Sequence, residues 1–302
     1  MRYPDERTEF TSSSSTHPSD LRAVAVRIAT DAAAHVRARR HELFATTGTA
    51  ALDDEPGTVA TKSNPTDPVT IVDTETEALV RRQLADLRPH DRILGEEEGG
   101  APADLAGLRW VVDPIDGTVN FVYGIPAYAV SVAAQIDGRS VAAAVVDVPN
   151  NVTYSAAAGQ GATRTDSDGI VTDLRCNSVD SVSLALVATG FGYGAQRRQR
   201  QGELIAKLLP RVRDIRRVGS AALDLCMVAS GLVDAHFEHG LGPWDWAGGA
   251  LIAAEAGAVL RVPSAATSSD AGEVVVACAP GIADELDAVF SELGVYAPMP
   301  DY

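Results

Sequence analysis

Asp113 and Asp116 stand three residues apart in Asp113-Pro114-Ile115-Asp116-Gly117-Thr118, directly after the apolar run Trp110-Val111-Val112. Two carboxylates held by a turn at the end of a buried strand are hard oxygen donors of the kind that Mg2+ accepts. Pro114 fixes one backbone angle, and Gly117 lets the chain approach a ligand closely. Taken alone, the stretch is equally readable as an ordinary surface turn, since Asp, Pro and Gly all favour turns. Three further places carry comparable chemistry. Glu96, in Gly95-Glu96-Glu97-Glu98-Gly99, follows the apolar Ile93-Leu94 and so stands at another strand end, whereas Glu98 fits a solvated charge run. Trp244-Asp245-Trp246 opens an apolar helix, where Asp245 is either an acid complementing the helix dipole or a partly desolvated carboxylate beside a cation. Lys62 and Asp73, at either end of a Pro-rich connection, read in isolation as loop and cap.

The elements that must position these groups alternate along the chain. Leu21, Val24, Ile28 and Val36 recur near helical spacing from Leu21 to Phe44, after a polar tail over residues 1–19. Gly48 to Asp67 is a Gly, Thr, Asp and Pro-rich loop. Thr74 with Glu77 has the form of a capping box opening a helix through Leu87, which places Asp73 just before that helix. Strands are predicted at Arg92–Leu94, Arg109–Val112, Ala129–Ile136, Val141–Val148 and Tyr154–Ala157, with Asp137-Gly138 as a hairpin turn. The second half predicts strands at Leu184–Ala188, Asp214–Val218, Leu232–Phe237, Val259–Val262 and Glu273–Ala277. Its helices are predicted at Gly202–Leu209, Ser220–Ser230, Trp244–Ala256 and Ile282–Leu293. Hairpins mixed with strand–helix alternation point to layered helices and largely antiparallel sheets.

Composition narrows the function classes. The 302 residues carry 25 Lys and Arg against 41 Asp and Glu, a formal net charge of -16. Such a surface repels phosphate backbones and anionic lipid, so direct nucleic-acid binding and membrane docking are not expected. Cys176, Cys226 and Cys278 form no CxxC pair, which suggests neither a thiolate metal site nor a disulfide framework. Met1 to Asp20 lacks the apolar core of a secretory signal, and the expectation is a soluble, cytoplasmic protein.

Taken together, the motifs resemble the inositol monophosphatase family, within the wider lithium-sensitive, metal-dependent sugar phosphatases. Trp110 to Phe121 matches the family's first motif, and Trp244-Asp245-Trp246-Ala247-Gly248-Gly249, continuing to Ala258, its second. Gly95-Glu96-Glu97 and Asp67 to Asp73 match as well, and the likeness runs from Leu21 to Leu293, nearest to actinobacterial and especially mycobacterial members. It implies an α+β, layered αβαβα sandwich with mixed sheets, as one catalytic domain over residues 20–302 with lobes meeting near residue 160. It implies two to three Mg2+ ions held by Glu96, Asp113, the Ile115 carbonyl, Asp116 and Asp245, with Asp73, Thr118 and Glu96 preparing an attacking water. Phosphate would meet the N–H groups of Gly117 and Thr118, and the polyol would meet Glu238, Gly219, Ser220 and Ala221, with Asp224 one turn further on. Lys62 would lie on a mobile loop, and a homodimer and lithium inhibition are further implications.

The reaction so implied is hydrolysis of a small phosphorylated polyol, first of all myo-inositol 1-phosphate. A broader sugar-phosphate phosphatase with fructose 1,6-bisphosphate as side substrate is the alternative within the class. A protein-binding regulatory role in transcription or ribosome biogenesis is the alternative outside it. His236 and His239, directly flanking the Phe237-Glu238 pair, are expected at the surface, because the family's metals take oxygen ligands. The basic run Arg197 to Arg200 reads as a solvated loop or helix start, with a dimer contact or an anion-binding rim as alternatives.

Overall fold

In a computed structural model of the chain, residues 15–44, 59–61, 68–101 and 103–300 are described. Helix α1 (Pro18–Phe44) buries Leu21, Ala25, Ile28, Ala29, Ala32, Ala33 and Val36, a single stripe at helical spacing. Strands β1 (Val59–Thr61) and β2 (Pro68–Thr70) pair antiparallel and lead into α2 (Ile71–Leu87). Then come β3 (Arg92–Gly95), β4 (Leu108–Asp116), the short α3 (Thr118–Tyr123), β5 (Ala129–Ile136), β6 (Arg139–Asp147), β7 (Val152–Ala157), β8 (Ala162–Thr165) and β9 (Val171–Asp173). Strands β3 to β9 form a seven-stranded sheet in sequence order, with only the β3–β4 pair parallel. Asp137 and Gly138 both take positive φ at the β5–β6 hairpin, as a type I′ turn requires.

The second half supplies β10 (Leu186–Thr189), α4 (Ala195–Leu208), β11 (Asp214–Arg216), α5 (Ala221–Ala229), β12 (Ala235–His239), α6 (Pro243–Glu255), β13 (Val259–Arg261), β14 (Val274–Cys278) and α7 (Ala283–Leu293). Its five strands run in the order β11-β10-β12-β14-β13, parallel on the β10 side and antiparallel around β14.

Period-two alternation then sorts side chains into layers. On the large sheet, Trp110, Val112, Val130, Val132, Ala142 and Ala144 face α1 and α2. Their neighbours Val111, Ala133, Ala143 and Val145 face the opposite way, onto α5 and α6. The far side of α5 and α6 meets Ala188, Val275 and Ala277 of the small sheet. The outer face of that sheet, Val187, Phe237, Val274 and Val276, packs on Leu204 and Leu208 of α4 and on Leu286 and Phe290 of α7. The result is the αβαβα sandwich that the sequence implied.

Several local expectations need correction. The cap of α2 is Thr70, not Thr74: Val72 N donates to Thr70 Oγ1, and Asp73 accepts from the Thr70 backbone. Asp73 therefore lies inside the first turn of the helix, and Glu77 is a buried residue of its second turn rather than a cap. Helix α1 begins at Pro18, inside the expected tail, and residues 1–14 lie outside those described. Strands β8 and β9 were not expected, and they carry the large sheet past residue 160. Of the 48–67 loop only β1 is described; Lys62 lies outside the described residues. Arg197 is not solvated. It is a buried residue of α4 that donates to the Met299 and Ser269 carbonyls, pinning the chain's last turn. Among the described residues, no helix is long and apolar enough to cross a membrane.

The Gly248-Gly249 pair explains how α6 fits between two packed neighbours. A Cβ on Gly248 would stand 2.7 Å from Ser131 Oγ of the large sheet, and one on Gly249 would stand 2.7 Å from Leu225 Cβ of α5. Intrinsic propensity favours Ala over Gly in a helix interior by about 1 kcal/mol, but overpacking a tight core costs about 1–3 kcal/mol. Packing should win: Gly249→Ala is expected to lower the thermal unfolding midpoint, followed by circular dichroism, and a higher midpoint would contradict this account of the helix interface.

Candidate active site

The carboxylates arrive from three elements. Strand β3 runs parallel to β4 with Gly95 opposite Val112, and the Glu96 N–H donates to the Val112 carbonyl, so Glu96 emerges beside Asp113. Gly95 is required here because a Cβ would fall 2.1 Å from Glu77 Oε1. Glu77, fully buried on α2, accepts from the Glu97 and Glu98 N–H groups and from Arg81, and so holds the loop that carries Glu96.

Asp113 and Asp116 would point to opposite faces of a regular strand, because their separation is odd. A register shift between them, where Asp113 pairs with Ser131 but Asp116 with Ala129, bulges β4 and brings both carboxylates together. Asp113 Oδ1 accepts from the Ile115 N–H at 3.0 Å, which closes the turn. Asp116 Oδ2 reaches across to the second half, accepting from Ser220 Oγ at 2.6 Å and from the Ala222 N–H at 2.7 Å at the start of α5. Asp245 comes from the first turn of α6, where its Oδ2 accepts from the Gly242 N–H at 2.6 Å. One oxygen from each of Asp113, Asp116 and Asp245 lies within 4.8 Å of the others.

These groups share one cavity of about 750 Å3. Its walls include Glu96, Asp113, Ile115, Asp116 and Asp245, together with Gly117, Thr118, Gly219, Ser220, Ala221 and Glu238. Asp73 stands just behind the wall. Thr118 Oγ1 lies 3.1 Å from Asp73 Oδ1 and 3.0 Å from the Ile115 carbonyl, and its single proton can serve one of them. The Ser220 hydroxyl is buried and donates to Asp116. Trp244 lines the cavity, whereas Trp246 is buried in the core between the sheets.

Electrostatics follow from this crowding. Burial, then repulsion from Glu96, Asp116 and Asp245, pushes Asp113 well above the usual carboxylate range. Asp245 is raised in the same way, by burial and then by Glu96 and Asp116. Burial lifts Asp116 to about 6 against the opposing hydrogen bonds from Ser220 and Ala222. Asp73 rises to about 7, through burial and then the nearby Glu96, with the Thr70 hydrogen bond pulling the other way. A set of buried hard oxygen donors that cannot all ionise without a partner fits a divalent cation, and the Asp113, Asp116 and Asp245 group is the fitting donor set.

Sequence reasoning overlooked three contributors. Asn120 of α3 donates to the Ala127 carbonyl at 2.7 Å and to the Val218 carbonyl at 2.9 Å, joining the 113–118 turn to the 218–221 turn. Arg217, immediately before that turn, lines the cavity and pulls against the rise of the Glu238 carboxyl. Gly190 leaves room for Glu238, whose carboxylate would be 2.2 Å or less from a Cβ there. Asn120 stood inside the first motif and Arg217 beside the Gly219 turn, so position in the motifs was the available signal. Glu238 itself is not in a loop but on β12, half-buried. His236 and His239 are corrections: both are buried, His239 Nε2 donating to the Val295 carbonyl and His236 facing Asp224. They stand either side of Glu238 on β12, the central strand of the small sheet, whose faces are covered by α5 and by α4 and α7.

A layered sandwich with a cleft of clustered carboxylates between its halves defines a class of phosphatases. The model of the inositol monophosphatase family matches residues 17–291, and the chain belongs to that family. Inositol-1-monophosphatase SuhB of Mycobacterium tuberculosis is 57% identical over 291 residues, covering 94% of this chain and 98% of that protein. The solved structure of Mycobacterium tuberculosis SuhB aligns over 92% of this chain and 98% of its own, with a TM-score of 0.76 and 51% identity. The Escherichia coli relative named Nus factor SuhB is 39% identical over 202 residues, covering 67% of this chain and 74% of that protein.

Raised carboxyl pKa values have a definite sign in stability. A group whose folded pKa lies above its unfolded value stabilises the fold at low pH, and that contribution is lost as pH rises through the folded pKa. Asp116 at about 6 and Asp73 at about 7 set the window. Chelator-treated protein is thus expected to melt at progressively lower temperature as pH rises from about 5 to about 8, with added Mg2+ restoring most at the upper end. A melting temperature that rises across that range without cation would contradict the assignment of these groups.

Proposed function

We propose that this phosphatase hydrolyses the phosphate monoester of a small polyol, myo-inositol 1-phosphate first of all, with Mg2+ as its cation. The observation that carries the reading is the convergence of Glu96, Asp113, Asp116 and Asp245 on one open cavity that also holds Glu238. Glu96, Asp113, the Ile115 carbonyl and Asp116 with Asp245 would hold two to three ions. Bound there, divalent cations supply charge neutralisation to the phosphate oxygens and to the leaving alkoxide.

The chain's own groups do the rest. Thr118 Oγ1, which lines the cavity within reach of Asp73, orients the attacking water, and Asp73 takes the water's proton through that hydroxyl as general base. The water oxygen bonds to phosphorus as the bond to the polyol oxygen breaks, and the departing oxygen collects a proton from solvent in the cavity. The N–H groups of Gly117 and Thr118 face the phosphate. Glu238 and the Gly219, Ser220 and Ala221 backbone face the polyol hydroxyls, a carboxylate accepting from two of them being the natural partner for a sugar alcohol. Support for inositol as the polyol comes from the mycobacterial relative's name and from its near-complete overlap with this chain.

Phosphate release should be measured from inositol 1-phosphate, fructose 1,6-bisphosphate and adenosine bisphosphate, with Mg2+ and with excess chelator. Inositol 1-phosphate is expected to have the highest kcat/KM, and chelator to abolish release reversibly; a preference for adenosine bisphosphate would overturn the substrate assignment. Asp113→Asn keeps the shape but removes a shared charge, and should lower kcat at least about a hundredfold, the scale of losing one preorganised electrostatic group. The relatives named Nus factor motivate a second, regulatory reading. A cellular phenotype of gene deletion that Asp113→Asn rescues fully would favour that role over catalysis.

A further inference from the structure

Behind Glu238 lies a second group of ligand-type side chains, separate from the Asp113 cluster. Asp224 sits in the first turn of α5, and His236 and Glu238 are alternate residues of β12, on the strand face turned toward α5. The other face of β12, Ala235 and Phe237, belongs to the outer core. One ligand atom from each of Asp224, His236 and Glu238 lies within 4.8 Å of the other two.

Two of these side chains are almost wholly out of water, Asp224 at 1% and His236 at 0% exposure. Neither oxygen of Asp224 and neither nitrogen of His236 has a hydrogen-bond partner. Their mutual approach, His236 Nδ1 to Asp224 Oδ2, is 3.6 Å, too long for a hydrogen bond. An ion pair does not account for the arrangement either. Burial lowers His236 to about 3, which leaves the imidazole uncharged near pH 7, and burial followed by Glu238 and Asp116 raises the Asp224 carboxyl. Buried polar atoms left without partners call for an explanation.

A cation supplies one. Ligand bonds of about 2.0–2.1 Å at tetrahedral angles place neighbouring donor atoms about 3.3 Å apart, so a 3.6 Å separation needs little movement. The donor set, one imidazole and two carboxylates, suits Zn2+ and similar late first-row ions, in contrast to the all-oxygen Asp113 group. Glu238 lines the cavity, so a fourth position would open toward it. We propose that Asp224, His236 and Glu238 form a second metal site, for Zn2+ or a related transition-metal ion, beside the cation cluster. An ion there engages the Glu238 carboxylate and removes it from the polyol, so that Zn2+ inhibits turnover chiefly by raising KM. Only this inhibitory consequence rests on the proposed function; metal binding does not.

The test uses full-length protein, Zn2+ in equilibrium dialysis against saturating Mg2+, and Co2+ as a spectroscopic stand-in. One Zn2+ per chain should be retained in Asp113→Asn, and its Kd should rise at least a hundredfold in His236→Phe. Co2+ on the Asp113→Asn protein should show the intense visible bands of four-coordination, absent from His236→Phe. Should His236→Phe fail to fold by circular dichroism, Asp224→Asn replaces it with the same expectation. Unchanged Zn2+ affinity in a folded variant, loss of Zn2+ in Asp113→Asn, or only weak octahedral Co2+ bands in Asp113→Asn would each overturn the site. Absence of Mg2+-dependent phosphate release without any Zn2+ would instead count against the proposed function and leave the binding measurements readable.

Discussion

Carboxylates gathered out of water repel one another, and most of the architecture around the cavity manages that repulsion. Each of the three clustered aspartates has one oxygen tied to the backbone: Asp113 to the Ile115 N–H, Asp116 to the Ala222 N–H and Asp245 to the Gly242 N–H. These donors favour the ionised forms, yet burial and mutual repulsion still hold Asp113 and Asp245 well above the ordinary range. The remaining deficit is what a divalent cation is suited to fill. The same bonds fasten the molecule together. Asp116 satisfies the start of α5, and Asn120 of the first motif donates to Val218 of the second half. The site is therefore a seam, and its chemistry and its cohesion use the same atoms.

Much of this was legible in the chain, and the reason is physical. Strand and helix periods show wherever one face is buried and the other is not, as in α1 and in the β5–β6 hairpin, whose Asp137-Gly138 turn permits one geometry. The 113–118 turn was legible because carboxylates after an apolar strand, with Pro and Gly between and beside them, constrain the backbone locally. What stayed hidden depended on partners distant in sequence. The bulge that turns Asp113 and Asp116 to one side is a matter of pairing with β5. Thr70 wins the cap of α2 over Thr74 because Asp73, the third helical residue, accepts its backbone N–H in return.

Burial of polar residues was the least legible feature. Arg197 looks like one of a solvated basic run until the carbonyls of Ser269 and Met299 are brought to it. His236 and His239 look like surface residues until β12 is placed in the interior of a five-stranded sheet. Strand alternation alone allows either outcome, since it states which residues share a face and not what covers that face. Here α5 covers the face carrying His236 and Glu238, and α4 and α7 cover the other.

The charge of the chain adds a constraint on how the proposed reaction can proceed. With a net charge of -16 and a cavity walled by Glu96, Asp113, Asp116, Asp245 and Glu238, a phosphate monoester entering a cation-free site meets like charge at short range, where the low dielectric of the protein strengthens repulsion. Arg217 contributes positive charge at the rim, but it is exposed and so screened by solvent. In the proposed reaction, cations seated among the carboxylates would supply the attraction that these walls lack, beside Arg217 and the buried Arg197. Under that proposal the binding order would follow from electrostatics: cation first, phosphate second. A cleft that is repulsive until filled by cations would discriminate against phosphorylated molecules whenever the cation is scarce, so in the proposed reaction metal supply alone would limit turnover.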